Sequence, residues 1–360
     1  MVIYIGTYTS GKSHGLYVGN LDLATGSLTV TSTTVQLEHP SYLAVDPQRF
    51  RLYVLSEVSQ FGEQHGGAVS AFALDPNTGT PTLLNSCSSG GEGPCHLSID
   101  PVGRFILVAN YGGGSVALLP LLEDGSLAQT VTVVSHEGSS VNTMRQNSPH
   151  VHFITMDPAG RYALAVDLGT DAIEVYEIDV VRGRLMSRPL SRTAVKAGVG
   201  PRHLAFHPTG RYAYVINELD STLTAWQYDT AQGRLSEIQT LSTLPVGFTG
   251  PNYPADVHVH PSGSFVYGSN RGHDSIALFT INAETGTMSL RNIVPSGGRT
   301  PRGFAIDPTG AYLVVAHQDT DTITTFRIDP ATGDLTPSGC TVRVPSPTCV
   351  KMLSLLTQAL

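Results

Sequence analysis

An apolar stretch, an Asp-Pro or His-Pro pair, a turn and a second apolar stretch recur six times along this chain. The pairs stand at Asp46-Pro47, Asp100-Pro101, Asp157-Pro158, His207-Pro208, His260-Pro261 and Asp307-Pro308, 47 to 57 residues apart. A period of about 50 residues marks a repeat architecture, in which each unit is one supersecondary element that cannot bury its apolar face alone. A second mark, a Gly turn followed by a short strand-like segment, falls at Gly26, Gly79, Gly125, Gly183, Gly233, Gly286 and Gly333, giving seven copies. Between the marks the residues alternate apolar and polar, as in Ala172 to Ile178 and Thr322 to Ile328. That period of two belongs to half-buried strands.

Each unit therefore holds four short strands: one before the Asp-Pro turn, one after it, an alternating third, and a fourth after the Gly turn. Seven four-stranded sheets make an all-β, seven-bladed β-propeller. Six pairs against seven Gly turns shows that the chain starts inside a unit, at a second-type strand from Val2 to Gly6. The missing innermost strand is expected from the C-terminus, where Pro345 to Val350 opens like Gly200-Pro201-Arg202-His203-Leu204. Pairing of the C-terminal strand with the N-terminal blade closes the ring and removes its open edges. The repeat fills residues 1–360 as one domain.

Composition agrees. Only 14% of the 360 residues are charged, and 37 Gly and 23 Pro suit short strands and tight turns rather than long charged helices. The net charge of -8 carries no basic run, so neither a nucleic-acid groove nor a polybasic membrane patch is expected. The N-terminus lacks a basic region followed by an apolar one, and no apolar window reaches the ~18 residues of a membrane span, which leads us to expect a cytoplasmic protein. Cys87, Cys95, Cys340 and Cys349 show no CxxC spacing and read as ordinary thiols. Of the 21 basic residues only Lys12, Lys196 and Lys351 are lysines, so the fixed positive charge is nearly all arginine, the side chain suited to planar anions.

In a propeller the inner strands begin around one axial pocket, and the second strands end there. The fifth residue before each turn pair includes Cys95, His152, Arg202 and Arg302, and the next residue includes Tyr42, His96, His203 and Asp256. Second strands end in Thr7-Tyr8, Ser56-Glu57, Asn217-Glu218 and Asn270-Arg271, among others. Arginines and histidines at the mouth of one channel point to a small anionic molecule or to charge developing in a reaction. Two longer connections, Val134 to His150 and Thr243 to Pro254, lie on the same face and are candidate walls or lids.

Other motifs are set aside. Gly11-Lys12-Ser13-His14-Gly15 matches the Gly-x-Ser-x-Gly elbow but sits in a hairpin, not between strand and helix. His260 takes the place of the turn Asp, so His258-Val259-His260 reads as structural rather than metal-binding. Arg104, Arg161 and Arg211 follow turn pairs and read as turn-stabilising. Gly112-Gly113-Gly114 opens no helix and reads as a flexible loop.

Tyr4-Ile5-Gly6-Thr7-Tyr8-Thr9, Arg145-Gln146 before His150-Val151-His152, Asp167-Leu168-Gly169-Thr170-Asp171, Gly200-Pro201-Arg202-His203, Asn217-Glu218 and Ser269-Asn270-Arg271-Gly272 together resemble the seven-bladed propeller lactonase family. That family includes propeller-type 6-phosphogluconolactonases and 3-carboxy-cis,cis-muconate lactonizing enzymes, and the resemblance spans essentially the whole chain. By motif match it implies His152, Arg202, Glu218 and Arg271 as catalytic residues, all drawn from the two columns above. A Glu-Asn-Asp metal triad is not evident, so no metal or other cofactor is expected.

The expected function is hydrolysis of a small anionic lactone, first of all 6-phosphogluconolactone. His152, with Glu218 as support or alternative base, would activate water. Arg202 and Arg271 would hold the oxyanion or the substrate's anionic group, with Arg302, His203, His96, His150, Arg145 and Tyr8 completing the binding pocket. A lactonizing cycloisomerase and a non-catalytic ligand-binding propeller are the alternatives at this stage. Oligomeric state is not legible.

Overall fold

Every unit folds as an antiparallel sheet whose strands run outward in chain order, because tight turns can join only neighbouring antiparallel strands. A computed structural model of the chain describes residues 1–128, 132–186 and 190–355, with no helix among them. The seven blades begin with the inner strands Pro347–Leu353, Leu43–Asp46, Pro94–Ile99, Val151–Met156, Pro201–Phe206, Tyr253–Val259 and Pro301–Ile306. Blade one is composite. Its inner strand, Pro347–Leu353, pairs antiparallel with Val2–Thr7, in register from Val2 opposite Leu353 to Gly6 opposite Cys349. Ring closure by the C-terminus, expected from the strand count, is the observed arrangement.

Blade four departs from the four-strand pattern. Its outer edge consists of two pieces, Arg184–Leu185 and Ser191–Ala194, both paired with Ala172–Asp179. Polar residues dominate both pieces, so little apolar burial holds them as one continuous strand.

The core is divided. Seven apolar clusters form, one in each gap between neighbouring blades, such as Phe153, Leu164, Val175, Val215 and Trp226 between blades four and five. Alternating second and third strands present one face to each neighbour, so blades are apolar on both sides. At about 1.5–3 kcal/mol per fully buried large side chain, this interblade packing dominates the stability of the ring.

The Gly turns owe their residue to the neighbouring blade. Tyr4 OH donates to the carbonyl of Gly79 at 2.6 Å, Tyr53 to Gly125 at 3.0 Å, Tyr214 to Gly286 at 3.2 Å and Tyr267 to Gly333 at 2.7 Å, each bolting a blade to the next. Gly333 has φ +75°, and a Cβ there would meet the Phe265 ring at 2.7 Å. On the far face the turn residues make a matching lock. His207 Nε2 donates to Gly263 O at 3.0 Å and His260 Nε2 to Gly310 O at 2.9 Å, giving His260 the structural role its position suggested. Asp157 Oδ1 accepts from the backbone N–H of Arg161 and Tyr162 at 2.7 and 2.9 Å. Arg104 pairs with Asp100 at 2.9 Å, whereas Arg161 stacks on Tyr162 and Arg211 reaches Ala283 O in the next blade.

Gly333→Ala combines a left-handed backbone with overpacking against Phe265, and is expected to lower unfolding free energy by about 2 kcal/mol or more. The midpoint of urea unfolding reads this, and an unchanged midpoint would contradict the bolt.

Candidate functional site

Strict alternation would turn adjacent residues of an inner strand to opposite sides, yet both residues at each strand head face the axis. A β-bulge resolves this. Register slips occur between Pro94/His96, Val151/Phe153, Pro201/His203, Pro254/Val257 and Pro301/Gly303, and in the closing blade opposite Gly6/Thr7. The bulged residues Cys95, His152, Arg202, Arg302 and Thr348 stand above the ladder and line an axial recess, while the next residues close the channel beneath it.

That closure is largely aromatic. Tyr42 and His96 rings lie 4.3 Å apart, His96 and Phe153 4.0 Å, and Phe153 and His203 5.2 Å, forming a plug across the axis. At the bottom of the recess, water centres have about 10 Å³, room for about one molecule.

Glu218 organises the recess. Its Oε2 accepts from Arg202 Nε at 3.0 Å and from Arg271 Nη2 at 2.8 Å, and its Oε1 accepts from Arg145 Nη2. Burial alone would raise its pKa, but Arg271, Arg202 and Arg145 hold it at about 2. Glu218 is thus an ion-paired anion, with Oε2 accepting twice and Oε1 once among the described residues.

Arg302 is differently placed. Its Nη2 donates to Tyr8 OH at 2.7 Å, and Tyr8 OH donates to Glu57 at 2.9 Å. Among the described residues no carboxylate lies within ion-pair distance of Arg302. Burial, with Arg202 and Arg302 as cationic neighbours, pulls Arg271 down to about 9 although Glu218 opposes the shift. Four guanidinium groups, on Arg145, Arg202, Arg271 and Arg302, thus face three carboxylates, those of Glu218, Glu57 and Asp256. The recess is short of negative charge.

Its histidines respond accordingly. Burial first, then Arg202, His203 and Arg302, hold His152 well below the usual imidazole range, so it is neutral at pH 7. His152 Nδ1 lies 3.6 Å from Cys95 Sγ, and among the described residues its Nε2 has no hydrogen-bond partner. His203 is lowered to about 4 by burial and Arg202. It donates from Nδ1 to Asp256 Oδ1 at 2.9 Å and accepts at Nε2 from Arg202 Nη1 at 3.2 Å. Arg202 Nη1 also reaches Ala255 O, which leaves Nη2 as its one nitrogen without a protein partner.

The structure therefore joins Arg145, Arg202, Glu218 and Arg271 by ion pairs and sets His152, His203, Arg302 and Tyr8 at the same recess. His150 stays on the rim, stacked on Tyr111 at 4.5 Å. His96 is a correction: it lies in the plug, accepting from Ile154 N at 3.3 Å, and faces the channel below. Glu57 and Asp256 are participants the residue-type argument passed over, although both stood in the two columns. The long connections meet at the edge, where Arg145 from the first lies 6.0 Å from the Tyr253 ring of the second. Ser13 is buried, its hydroxyl 2.6 Å from Thr7 Oγ1 and hydrogen-bonded to the Gly15 backbone, with no hydrogen bond to a histidine among the described residues.

Comparison with known proteins follows from this geometry. A family model described as a seven-bladed β-propeller lactonase matches residues 2–352. The chain is 38% identical to a Bacillus subtilis 6-phosphogluconolactonase over 350 residues, 97% of each chain. It is 33% identical to a Formosa agariphila 6-phosphogluconolactonase over 301 residues, 82% of this chain and 83% of the relative. Among solved structures, Pseudomonas aeruginosa periplasmic gluconolactonase superposes with a TM-score of 0.91 at 31% identity, covering 99% of both chains.

Glu218→Gln would leave buried guanidinium groups unpaired and is expected to cost about 3–5 kcal/mol. Arg145→Ala, at a residue 36% exposed, is expected to cost under about 1 kcal/mol. Because the folded pKa of Glu218 lies below its ordinary 4.5, its contribution is complete above pH 4.5 and is lost as pH falls toward 2. Urea unfolding at pH 7 and pH 3 measures both effects.

Proposed function

The chain belongs to the seven-bladed β-propeller lactonase family, and from that premise we propose that it hydrolyses 6-phosphogluconolactone to 6-phosphogluconate in the axial recess. One observation carries the reading: the neutral imidazole of His152 stands beside Arg302, whose guanidinium has no carboxylate within ion-pair distance among the described residues. A phosphorylated lactone supplies the missing negative charge, and its carbonyl becomes an oxyanion as water adds.

The residues divide the work. Arg302 and Arg271 take the phosphate, Arg302 because its partner is a neutral hydroxyl. Arg202, clamped by Glu218, Ala255 O and His203, presents Nη2 to the carbonyl oxygen. Water at the bottom of the recess attacks the carbonyl carbon while His152 Nε2 takes its proton. Collapse of the tetrahedral intermediate breaks the ring C–O bond, and the imidazolium returns the proton to the leaving alkoxide. The new carboxylic acid gives its own proton to solvent.

Substrate also tunes the base. Arg202 and Arg302 depress His152 in the free protein, and a bound phosphate offsets their charge, raising the basicity of His152 when the substrate arrives.

With freshly generated 6-phosphogluconolactone and a coupled dehydrogenase assay corrected for spontaneous hydrolysis, His152→Ala is expected to lose about 100-fold or more in kcat. Arg302→Ala is expected chiefly to raise KM. The acid limb of kcat/KM, which reports the free protein, should lie below the ordinary histidine value of 6.5, and the limb of kcat should lie at a higher pH than that of kcat/KM. A His152→Ala enzyme with unchanged turnover would remove the assigned base.

A further inference from the structure

Below the aromatic plug the channel widens into a second cavity of about 370 Å³, which the chemistry above does not use. Two residues beyond the plug, alternation returns side chains to the axis, and there Lys351, Ser98, Thr155 and His258 meet at one level with Ala44 and Ala205. Lys351 comes from the closing strand.

The Lys351 ammonium lies 3.2 Å from Tyr42 OH and 4.6 Å from the centre of that ring. Among the described residues it has no other hydrogen-bond partner and no carboxylate within ion-pair distance. Asp256 is the one acid in the cavity wall, and its oxygens are already filled. Oδ1 accepts from His203 Nδ1 at 2.9 Å and Val257 N at 3.0 Å, and Oδ2 accepts from His258 Nε2 at 3.1 Å and Phe304 N at 3.2 Å. Among the described residues the Ser98 hydroxyl, shielded from the cavity, has no hydrogen-bond partner.

A half-buried cation with N–H groups to spare, set in the wall of a polar cavity, complements a compact anion of several oxygens. We propose that this lower cavity is an anion site, separate from the catalytic recess, that takes a small oxyanion of phosphate or carboxylate type on Lys351. The plug separates it from Arg302, so the two sites bind independently of whether the lactone assignment holds.

Thermal unfolding at constant ionic strength, titrated with inorganic phosphate and separately with acetate, tests this in an Arg302→Met background that weakens the upper site. A saturable rise in Tm of a few degrees is expected with one or both anions. Adding Lys351→Met should abolish the saturable part, and adding Lys351→Arg should keep it. Ser98→Leu, which fills the cavity from another blade, should abolish it with the lysine intact. Phosphate alone giving the rise identifies phosphate chemistry, and acetate alone identifies carboxylate chemistry. A rise that does not saturate, or that is equal in all variants, overturns the site. Lactone hydrolysis by the parent protein is measured separately, so failure of the enzyme assignment and failure of the lower site are distinguishable.

Discussion

Each group at the axis stands where it does because the last strand of the chain hydrogen-bonds to the first. Pairing of Pro347–Leu353 with Val2–Thr7 turns a row of sheets into a ring. Only in a ring do seven inner strands point their heads at one another. An open row would expose two sheet edges and spread the same side chains along a surface, where each arginine would be hydrated instead of competing for Glu218.

Within the ring, the bulge at the strand heads converts a scaffold into a site. One extra residue per strand gives two successive side chains an axial position. The upper one lines the recess, in His152, Arg202 and Arg302, and the lower one closes the channel, in Tyr42, His96, Phe153 and His203. Burial behind that plug then makes charge decisive. Three cations hold Glu218 ionised, and burial, reinforced by Arg202, His203 and Arg302, keeps His152 neutral. Acid–base properties at the recess are thus set collectively.

Most of the fold was legible because repetition averages out local ambiguity. A single Asp-Pro turn says little, but six at one spacing locate strands, count blades and predict a strand from the C-terminus. The two columns also pick out residues that converge on the axial recess, since counting back from the turn needs no knowledge of the bulge. Roles were less legible. Glu218 resembles a catalytic acid or base by residue type, and only the convergence of Arg145, Arg202 and Arg271 from separate strands and a loop shows it to be a fixed anion. His96 shares a column with His203, but partners decide their parts: His203 bonds to Arg202 and Asp256, while His96 stacks between Tyr42 and Phe153. Long-range side-chain partnership has no sequence period, and that is what counting cannot supply.

Closure also sets an order in time. Tyr8 meets Arg302 across 294 residues, and Thr348 Oγ1 reaches the Ser41 carbonyl across 307 at 2.9 Å, so opposite ends of the chain complete one pocket. During synthesis the N-terminal strand emerges first and waits with an unpaired edge while six blades form behind it. The arginines on the middle blades are then assembled without the wall that finally encloses them. Until Pro347–Leu353 is free to pair with Val2–Thr7 the recess lacks part of its wall, and a truncation before that strand yields an open sheet edge, a target for chaperones and proteases, rather than a weaker enzyme.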